Sequence, residues 1–240
     1  MALHFLVDEI TTAVGAELVL RGPEAHHAAV VRRLREGEDV TVGDGAGTWL
    51  TGTVVAAAPK EVVIRVTDAA AVPAPTPRLV LVQALAKGDR DELAVQAATE
   101  LGVDEIVPWQ ASRSVSRWSA EKAPKGVARW QSIVREAAKQ AHRAWVPGVV
   151  APVSTAQVTA RAGTLLVLEP TASARLSQID LTGASEIVLI VGPEGGIAPE
   201  ELASLEAAGA TLVRLGDTVL RTSTAGPAAL ALVSAHLGRW

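Results

Sequence analysis

One glycine-rich stretch of the chain directly follows a predicted strand, which is where α/β proteins bind ligands. Gly192-Pro193-Glu194-Gly195-Gly196, here called the glycine loop, follows the apolar run Ile187 to Val191 and precedes a predicted helix from Pro199 to Ala208. Ligands bind at the carboxyl ends of strands in open α/β sheets, and glycines let the backbone approach a ligand closely. Leu168-Glu169-Pro170 ends another predicted strand in the same manner. The glycine loop matches neither the GxGxxG fingerprint nor a P-loop, and an ordinary tight turn is the alternative interpretation.

A second loop carries a cation and three hydroxyl groups. Leu215 to Ala225 lies between a predicted strand and a predicted helix, and its Thr222, Ser223 and Thr224 are candidate helix N-caps. Arg221 is expected at the same edge of the sheet as the glycine loop. A guanidinium there could stabilise negative charge on a substrate, although it stays protonated and cannot act as a base. The alternative is an exposed arginine beside a capped helix.

The middle of the chain is basic and rich in tryptophan. Between residues 108 and 148 eight Lys or Arg residues stand against two Glu, although the whole chain has a formal net charge of −4. Four of the six tryptophans fall in the same stretch. Cations that meet phosphates and rings that stack on bases suit RNA. A solvated helix face, with its tryptophans in the core, is the alternative.

A shorter basic cluster lies near the N-terminus. It consists of Arg32, Arg33 and Arg35 and follows the pair His26-His27. Paired histidines can bind a metal, but the other three histidines are distant in sequence and no HExxH pattern exists. We therefore expect no metal site, and a polar helix end is the simpler interpretation of the histidines.

Composition excludes several classes of protein. The chain has 240 residues, 49% of them hydrophobic, which is enough for a sizeable core in one or two domains. It has no cysteine, so disulfides, thiolate metal sites and a cysteine nucleophile are excluded. No apolar run approaches the roughly 18–20 residues of a membrane-spanning helix, and the first nine residues lack the basic region of a secretory signal. A cytoplasmic protein without a membrane span is expected.

The predicted elements change character along the chain. The first seventy residues indicate short strands, one short helix and a strong turn at Gly43 to Gly47, a pattern typical of a small β-barrel. Ala69 to Pro77 has prolines at alternate positions and indicates an extended linker. Beyond it, predicted strands and helices alternate, which favours a mostly parallel sheet with helices on both faces. The predicted fold class is α/β with a small N-terminal β-barrel.

Taken together, motifs along nearly the whole chain resemble those of one family, the RsmE family of ribosomal RNA uridine-N3 methyltransferases in the SPOUT superfamily. The matching motifs occur in family order: Glu24-Ala25-His26-His27, Arg32-Arg33-Leu34-Arg35, Gln83 to Arg90, Thr99 to Val103, Arg113-Ser114-Val115, Arg129-Trp130, Gln140 with Arg143 and Pro147, the glycine loop, and Leu220-Arg221-Thr222.

The resemblance implies a PUA-like RNA-binding barrel over residues 1–72 and a SPOUT methyltransferase domain with a deep trefoil knot over residues 73–240. It also implies a homodimer that acts on 16S ribosomal RNA of the small ribosomal subunit, with S-adenosylmethionine bound in the knot. The residues that would line the cofactor site are Leu168, Glu169, Gly192, Pro193, Glu194, Gly195, Gly196, Leu215, Gly216, Val219 and Leu220.

The chemistry of uridine methylation assigns roles to the arginines. Uridine N3 must lose its proton, and a positioned cation can stabilise the resulting anion. Arg221 is the predicted catalytic cation, with Arg143 and Arg113 as second choices and a structural role for Arg221 as the alternative. The proton acceptor stays open between water, Glu194 and a group of the partner chain. The predicted RNA contacts are Arg32, Arg33, Arg35, Arg113, Arg117 and Arg143.

Two other functions stay open at this point. One is another SPOUT methyltransferase that acts on tRNA or on a ribose 2′-oxygen, which the N-terminal motifs Glu24 to His27 and Arg32 to Arg35 argue against. The other is an RNA-binding assembly factor without catalysis, which the intact glycine loop and Arg221 argue against.

Overall fold

The structure is a computed structural model that describes residues 2–8 and 10–240. The chain divides into two compact units. The first unit comprises Met1–Ala74 and Ala138–Val146, and the second comprises Pro75–Ala137 and Pro147–Trp240. The segment Ala138–Val146, here called the return segment, therefore belongs with the N-terminal residues. The sequence contained no sign of this, because the return segment follows directly on a helix that begins in the second unit.

The first unit is built on a five-stranded sheet in the order β1-β3-β4-β5-β2. Only β1 and β3 pair in parallel. The elements are β1 (Leu3–Leu6), β2 (Glu17–Arg21), α1 (Gly22–His26) with a π-helical turn (His27–Val31), β3 (Asp39–Gly43), β4 (Thr48–Ala58) and β5 (Glu61–Ala71). Because β1 and β2 are the two edges, the sheet is a curled half-barrel rather than a closed barrel. Alternate residues of its strands face one core, which also takes Ala25 and Ala28 from the helical segment.

The return segment is attached to the turn between β3 and β4. Backbone N–H groups of Gly47 and Val146 donate to the carbonyls of Ala144 and Gly45, at 3.0 and 2.9 Å. Trp145 lies against Gly47, where a Cβ would stand 2.6 Å from Cζ2 of the indole. Its Nε1 donates to the Val72 carbonyl at 2.9 Å. The glycine-rich turn predicted at this point therefore packs against the side chain of Trp145.

The second unit contains a seven-stranded sheet in the order β10-β12-β9-β11-β6-β7-β8, with every pair parallel. Its strands are β6 (Arg78–Ala84), β7 (Glu105–Trp109), β8 (Gly148–Val149), β9 (Thr164–Leu168), β10 (Ala174–Arg175), β11 (Glu186–Val191) and β12 (Thr211–Arg214). Its helices are α2 (Arg90–Glu100), α3 (Ala123–Gln140, whose last residues belong to the return segment), α4 (Thr155–Thr159), α5 (Pro199–Ala207) and α6 (Thr222–His236), with a 3₁₀ turn at Leu176–Gln178.

The central strands of this sheet are buried on both faces, as parallel sheets require. Val80 and Val82 of β6 share a core with Val158 of α4 and Leu205 of α5. Leu81 points to the opposite face, where Gly226 of α6 approaches it so closely that a Cβ would lie 3.0 Å away. The α/β fold with helices on both faces is thereby confirmed. In the part of the chain that the structure describes, no helix is long and apolar enough to cross a membrane.

Candidate active site

Three loops that follow neighbouring strands enclose one cavity of about 320 Å³ in the second unit. β9 lies between β12 and β11, so the carboxyl ends of these strands stand side by side. The cavity is lined by all but one of the residues predicted to bind the cofactor, namely Leu168, Glu169, Gly192, Pro193, Glu194, Gly196, Leu215, Gly216, Val219 and Leu220. Arg221 lines it too, and Gly195 does not. The cavity thus lies at the carboxyl ends of parallel strands, where ligands bind in open α/β sheets.

The glycine loop owes its shape to two of its glycines. Gly192 lies so close to Ile197 that a Cβ would come within 2.5 Å of Cγ1 of that side chain. Gly196 adopts φ +73°, a conformation that favours glycine, and its N–H donates to the Pro193 carbonyl at 2.9 Å. These constraints make the loop a tight turn whose backbone is presented to the cavity.

The carboxylate of Glu194 anchors the glycine loop to the segment before α2. Its Oε1 accepts the backbone N–H of Lys87 at 2.8 Å and Nη1 of Arg90 at 3.3 Å. Arg90 also lines the cavity. Sequence reasoning did not place Arg90 in the site, although it lies in one of the motifs that carried the family resemblance.

Arg221 occupies the N-cap position of α6. Its carbonyl accepts the N–H groups of Thr224 and Ala225 at 2.8 and 2.9 Å, and its side chain is exposed. The helix begins at Thr222, three residues before the predicted start, and no side chain caps it. The expectation that a hydroxyl of this loop caps the helix is wrong for Thr222, because that hydroxyl donates to the Gly192 carbonyl at 2.8 Å. The backbone of Arg221 is therefore fixed while its guanidinium stays accessible.

Two acidic side chains of these loops contact residues of the second unit. Glu169 Oε1 accepts the N–H and the hydroxyl of Thr171, at 3.2 and 2.8 Å. Asp217 Oδ1 pairs with Arg175 at 3.3 Å and lies 3.9 Å from Nε of Arg214. Both contacts hold loops that surround the cavity. The Glu169 contacts stay within its own loop, whereas Asp217 joins the loop after β12 to β10 through Arg175.

The arginines predicted to bind RNA fall into both units. In the second unit Arg113 and Arg117 are exposed, and they donate to the carbonyls of Gly195 at 3.3 Å and Ser112 at 2.9 Å. The Arg113 contact brings one predicted RNA ligand onto the glycine loop. In the first unit Arg32, Arg33 and Arg35 are exposed, and Arg143 of the return segment is half-buried. Arg33 has φ +55°, which turns the chain between its two neighbours.

Several tryptophans of the basic segment are core residues. Trp109 and Trp130 are buried, and Trp118 meets Trp130 edge-on with ring centroids 5.2 Å apart. The alternative interpretation, in which these rings serve the core rather than a stacking surface, is confirmed for Trp109 and Trp130.

Glu201 of α5 does not line the cavity but holds a loop beside it, and sequence reasoning missed this role. It accepts Thr155 Oγ1 at 2.6 Å, the Ser112 hydroxyl and N–H at 2.8 and 3.0 Å, and the Ala198 N–H at 3.4 Å. Burial raises the pKa of the Glu201 carboxyl, but these hydrogen bonds outweigh burial and hold the pKa below its ordinary value. The carboxylate ties the Arg113 loop to the helix that follows the glycine loop. A glutamate in the first turn of a helix is too common for the sequence to have singled it out.

Comparison with known proteins agrees with this geometry. The family model for an RNA methyltransferase domain matches residues 73–234, and the model for an RNA methyltransferase PUA domain matches residues 20–67. The ribosomal RNA small subunit methyltransferase E of Mycobacterium bovis is 43% identical over 100% of this chain and 94% of that protein. The protein of the same name from Bacillus subtilis is 30% identical over 90% of this chain and 88% of its own length.

Solved structures extend the similarity to the whole fold. The ribosomal RNA small subunit methyltransferase E of Neisseria gonorrhoeae, bound to S-adenosyl methionine, has a TM-score of 0.88 and 29% identity over 98% of each chain. A methyltransferase structure from Legionella pneumophila with bound cofactor SAM has a TM-score of 0.86 and 30% identity over 98% of each chain. Since motifs, strand topology and full-length identity agree, this chain belongs to the ribosomal RNA small subunit methyltransferase E family.

Proposed function

We propose that this protein transfers a methyl group from S-adenosylmethionine to N3 of a uridine in 16S ribosomal RNA of the small ribosomal subunit. The observation that carries the proposal is the cavity at the ends of β9, β11 and β12, lined by the glycine loop and by Arg221. Relatives over the full chain are named for methylation of small-subunit ribosomal RNA, and two solved relatives contain S-adenosyl methionine.

The residues around the cavity fit this cofactor. A volume of about 320 Å³ is within the usual range for small-ligand pockets. A Cβ on Gly196 or Gly216 would meet no atom within 4 Å, so both backbones border open space. Leu168 and Leu220 add apolar lining for a planar base, and the eleven residues predicted from the family motifs stay the proposed binding set, with Gly195 at its margin. When bound, the cofactor supplies an activated methyl group.

The protein's part in the reaction is to hold the acceptor and to stabilise charge. A uridine that loses its N3 proton carries negative charge on its two carbonyl oxygens, and the exposed guanidinium of Arg221 can stabilise that anion. Arg221 cannot take the proton, because it stays protonated. Glu194 already accepts hydrogen bonds from Lys87 and Arg90, so water is the better candidate for the acceptor of the proton.

RNA binding would use arginines of both units, all of them exposed except Arg143, which is half-buried. Each arginine that meets a phosphate adds to the salt dependence of binding, because counterions are released. The proposed contacts are Arg32, Arg33, Arg35, Arg113, Arg117 and Arg143. The domain bounds 1–72 and 73–240, the trefoil knot and the homodimer stay predictions from the family, and the cytoplasmic location stays a prediction from composition.

The proposed function is tested by methyl transfer to three acceptors. The purified protein is incubated with radiolabelled S-adenosylmethionine and with small ribosomal subunits that lack the modification, with their naked RNA, or with bulk tRNA. Labelled N3-methyluridine in the subunits or their RNA is the expected product. Label in tRNA or on a ribose would overturn the acceptor assignment, and absence of cofactor binding would favour the non-catalytic alternative.

A further inference from the structure

A buried hydrogen-bond relay connects β6 to two of the three loops of the candidate site. Gln83 in β6 is fully buried, and its Nε2 donates to the Thr222 hydroxyl oxygen at 2.9 Å and to the Ala84 carbonyl at 3.2 Å. The Thr222 hydroxyl in turn donates to the Gly192 carbonyl at 2.8 Å. Thr222 itself is only 6% exposed. The three groups form a chain that runs from the sheet into the glycine loop.

The Gly192 carbonyl at the end of this relay determines which group donates and which accepts in each hydrogen bond. The Gly192 carbonyl can only accept a hydrogen bond, so the single hydroxyl hydrogen of Thr222 must point towards it. The Thr222 oxygen is then left as an acceptor, which requires the amide nitrogen of Gln83 rather than its oxygen. The Ala84 carbonyl can also only accept, so it takes the second hydrogen of the same amide nitrogen. Gln83 is therefore held in one orientation by two acceptors.

This orientation leaves the Gln83 amide oxygen without a partner among the described residues, although it is buried. An unpaired buried acceptor is unfavourable for stability, and such exceptions in native proteins concentrate where function constrains the structure. A fully apolar side chain at this position would avoid that cost. The two donor contacts therefore account for an amide at this buried position.

The relay acts on the two loops that the proposed function needs. Gly192 is the first residue of the glycine loop, and Thr222 directly follows Arg221. Gly192, Arg221 and Thr222 all line the cavity. Because the Thr222–Gly192 hydrogen bond spans these loops, its loss would let the spacing between them vary.

We infer that Gln83 and Thr222 are positioning residues, which set the distance between the cofactor-binding backbone at Gly192 and the guanidinium of Arg221. This inference rests on the proposed function. Neither side chain is assigned contact with the reacting atoms, and each acts through the backbone that it holds.

The test compares two variants that break the relay with one that keeps it. Thr222→Val removes the hydroxyl at nearly constant volume, and Gln83→Leu removes the donor. Thr222→Ser keeps a hydroxyl and serves as the rescue. The dissociation constant for S-adenosylmethionine is measured by calorimetry, and kcat and KM on the ribosomal acceptor are measured separately.

A matched control is available in α2. Thr99 is also fully buried, and its hydroxyl donates to the Val95 carbonyl of the same helix at 2.8 Å. Thr99→Val therefore removes a buried hydroxyl of the same unit without touching either loop. It is expected to lower the melting temperature and to leave the cofactor dissociation constant unchanged.

The expected result is a rise of roughly tenfold in the dissociation constant for Thr222→Val and of about threefold for Gln83→Leu. kcat should also fall in both, and Thr222→Ser should resemble the wild type. If the two variants lower the melting temperature as Thr99→Val does but bind cofactor and turn over like the wild type, the relay is merely structural and the inference is overturned. Should Thr222→Val fail to fold, Gln83→Leu carries the test. A wild-type protein that binds no cofactor would instead refute the proposed function.

Discussion

In the first unit, β4 alternates buried and half-buried residues along most of its length, whereas β11 of the second unit is buried at five consecutive positions. The half-barrel therefore has an outer face on which side chains meet solvent. The central strands of the parallel sheet have no such face, since helices cover both sides. The second unit must accordingly place its functional groups at strand ends. The first unit can spread exposed arginines over a surface.

This difference predicts two kinds of response to substitution. Changes at the strand ends of the second unit should act on one step, cofactor binding or turnover, with large effects. Changes among the exposed arginines of the first unit should act on RNA affinity in small, additive and salt-dependent increments.

The largest effect is expected from Arg221→Ala. Removal of a preorganised cation from an anion-stabilising site reduces turnover by about 10²–10³-fold in comparable cases. We expect kcat to fall on that scale with cofactor affinity nearly unchanged, as measured by single-turnover transfer and calorimetry. Arg65→Ala, which removes an exposed partner of Glu17 in the first unit, is the control. Unaltered turnover of Arg221→Ala on saturating substrate would exclude the catalytic role.

A second effect concerns the pH dependence of the first unit. His4 stacks on Trp49 with ring centroids 4.4 Å apart, and burial, aided by the charges of His142 and Lys139, lowers its pKa from 6.5 to about 4. The unfolded chain therefore binds a proton more readily than the folded one between these values. The contribution of neutral His4 is fully present above pH 6.5. It is lost as the pH falls towards 4, at a total of about 3 kcal/mol.

This prediction is checked by denaturant unfolding between pH 4 and 8. His4→Gln should flatten the decline in the free energy of unfolding below pH 6.5, whereas His26→Gln, at an exposed position of α1, should leave the decline unchanged. An identical decline in His4→Gln and the wild type would show that other groups control acid stability.

Two glycine substitutions separate the shape of the loop from the space beside it. Gly192→Ala places a Cβ against Ile197 and must shift the glycine loop, so both stability and cofactor affinity should fall. Gly216→Ala meets no protein atom within 4 Å, so the fold should persist while cofactor affinity drops by about tenfold. Gly148→Ala in β8, which also meets nothing within 4 Å, is the control for both. Calorimetry and thermal unfolding distinguish the outcomes, and full affinity in Gly216→Ala would show that the cofactor does not use this space.

The smallest effects per residue are expected from the RNA-facing arginines. For each phosphate contact that is removed, the slope of log affinity against log salt should become shallower by about 0.7 on single-stranded RNA. The triple variant Arg32→Ala, Arg33→Ala, Arg35→Ala should thus lose about 2 from the slope and keep the cofactor affinity of the wild type. Arg21→Ala, whose side chain pairs with Glu61, is the control. An unchanged slope would remove the first unit from the RNA-binding surface.

Some elements of the second unit could be predicted closely from the sequence. β11 and α5 each differ from prediction by one residue at one end. Continuous apolar runs between glycine and proline signals leave little ambiguity about such strands. The loops at their ends followed from the same pattern, and so most of the cavity lining could be named in advance.

What could not be predicted depends on partners that are distant in sequence. Closure of the first sheet is decided by whether its two edge strands pair, and local pattern does not carry that information. The hydroxyl of Thr222 was expected to cap its own helix, but it donates across the site to Gly192, which lies 30 positions away. Gln83 and Glu201 likewise gain their roles only through tertiary contacts.

The return segment delays completion of the first unit during synthesis of the chain. Translation delivers the strands of the half-barrel first, and N-terminal domains commonly fold while synthesis continues. Here the tryptophan that covers Gly47 and the backbone that pairs with Gly45 are encoded at residues 144–146, after Pro75–Ala137 of the second unit has been made. Until the ribosome has passed residue 146, the nascent half-barrel lacks the tryptophan that covers Gly47. A chain that stops at residue 74 would therefore contain the half-barrel strands without the Trp145 side chain that covers Gly47.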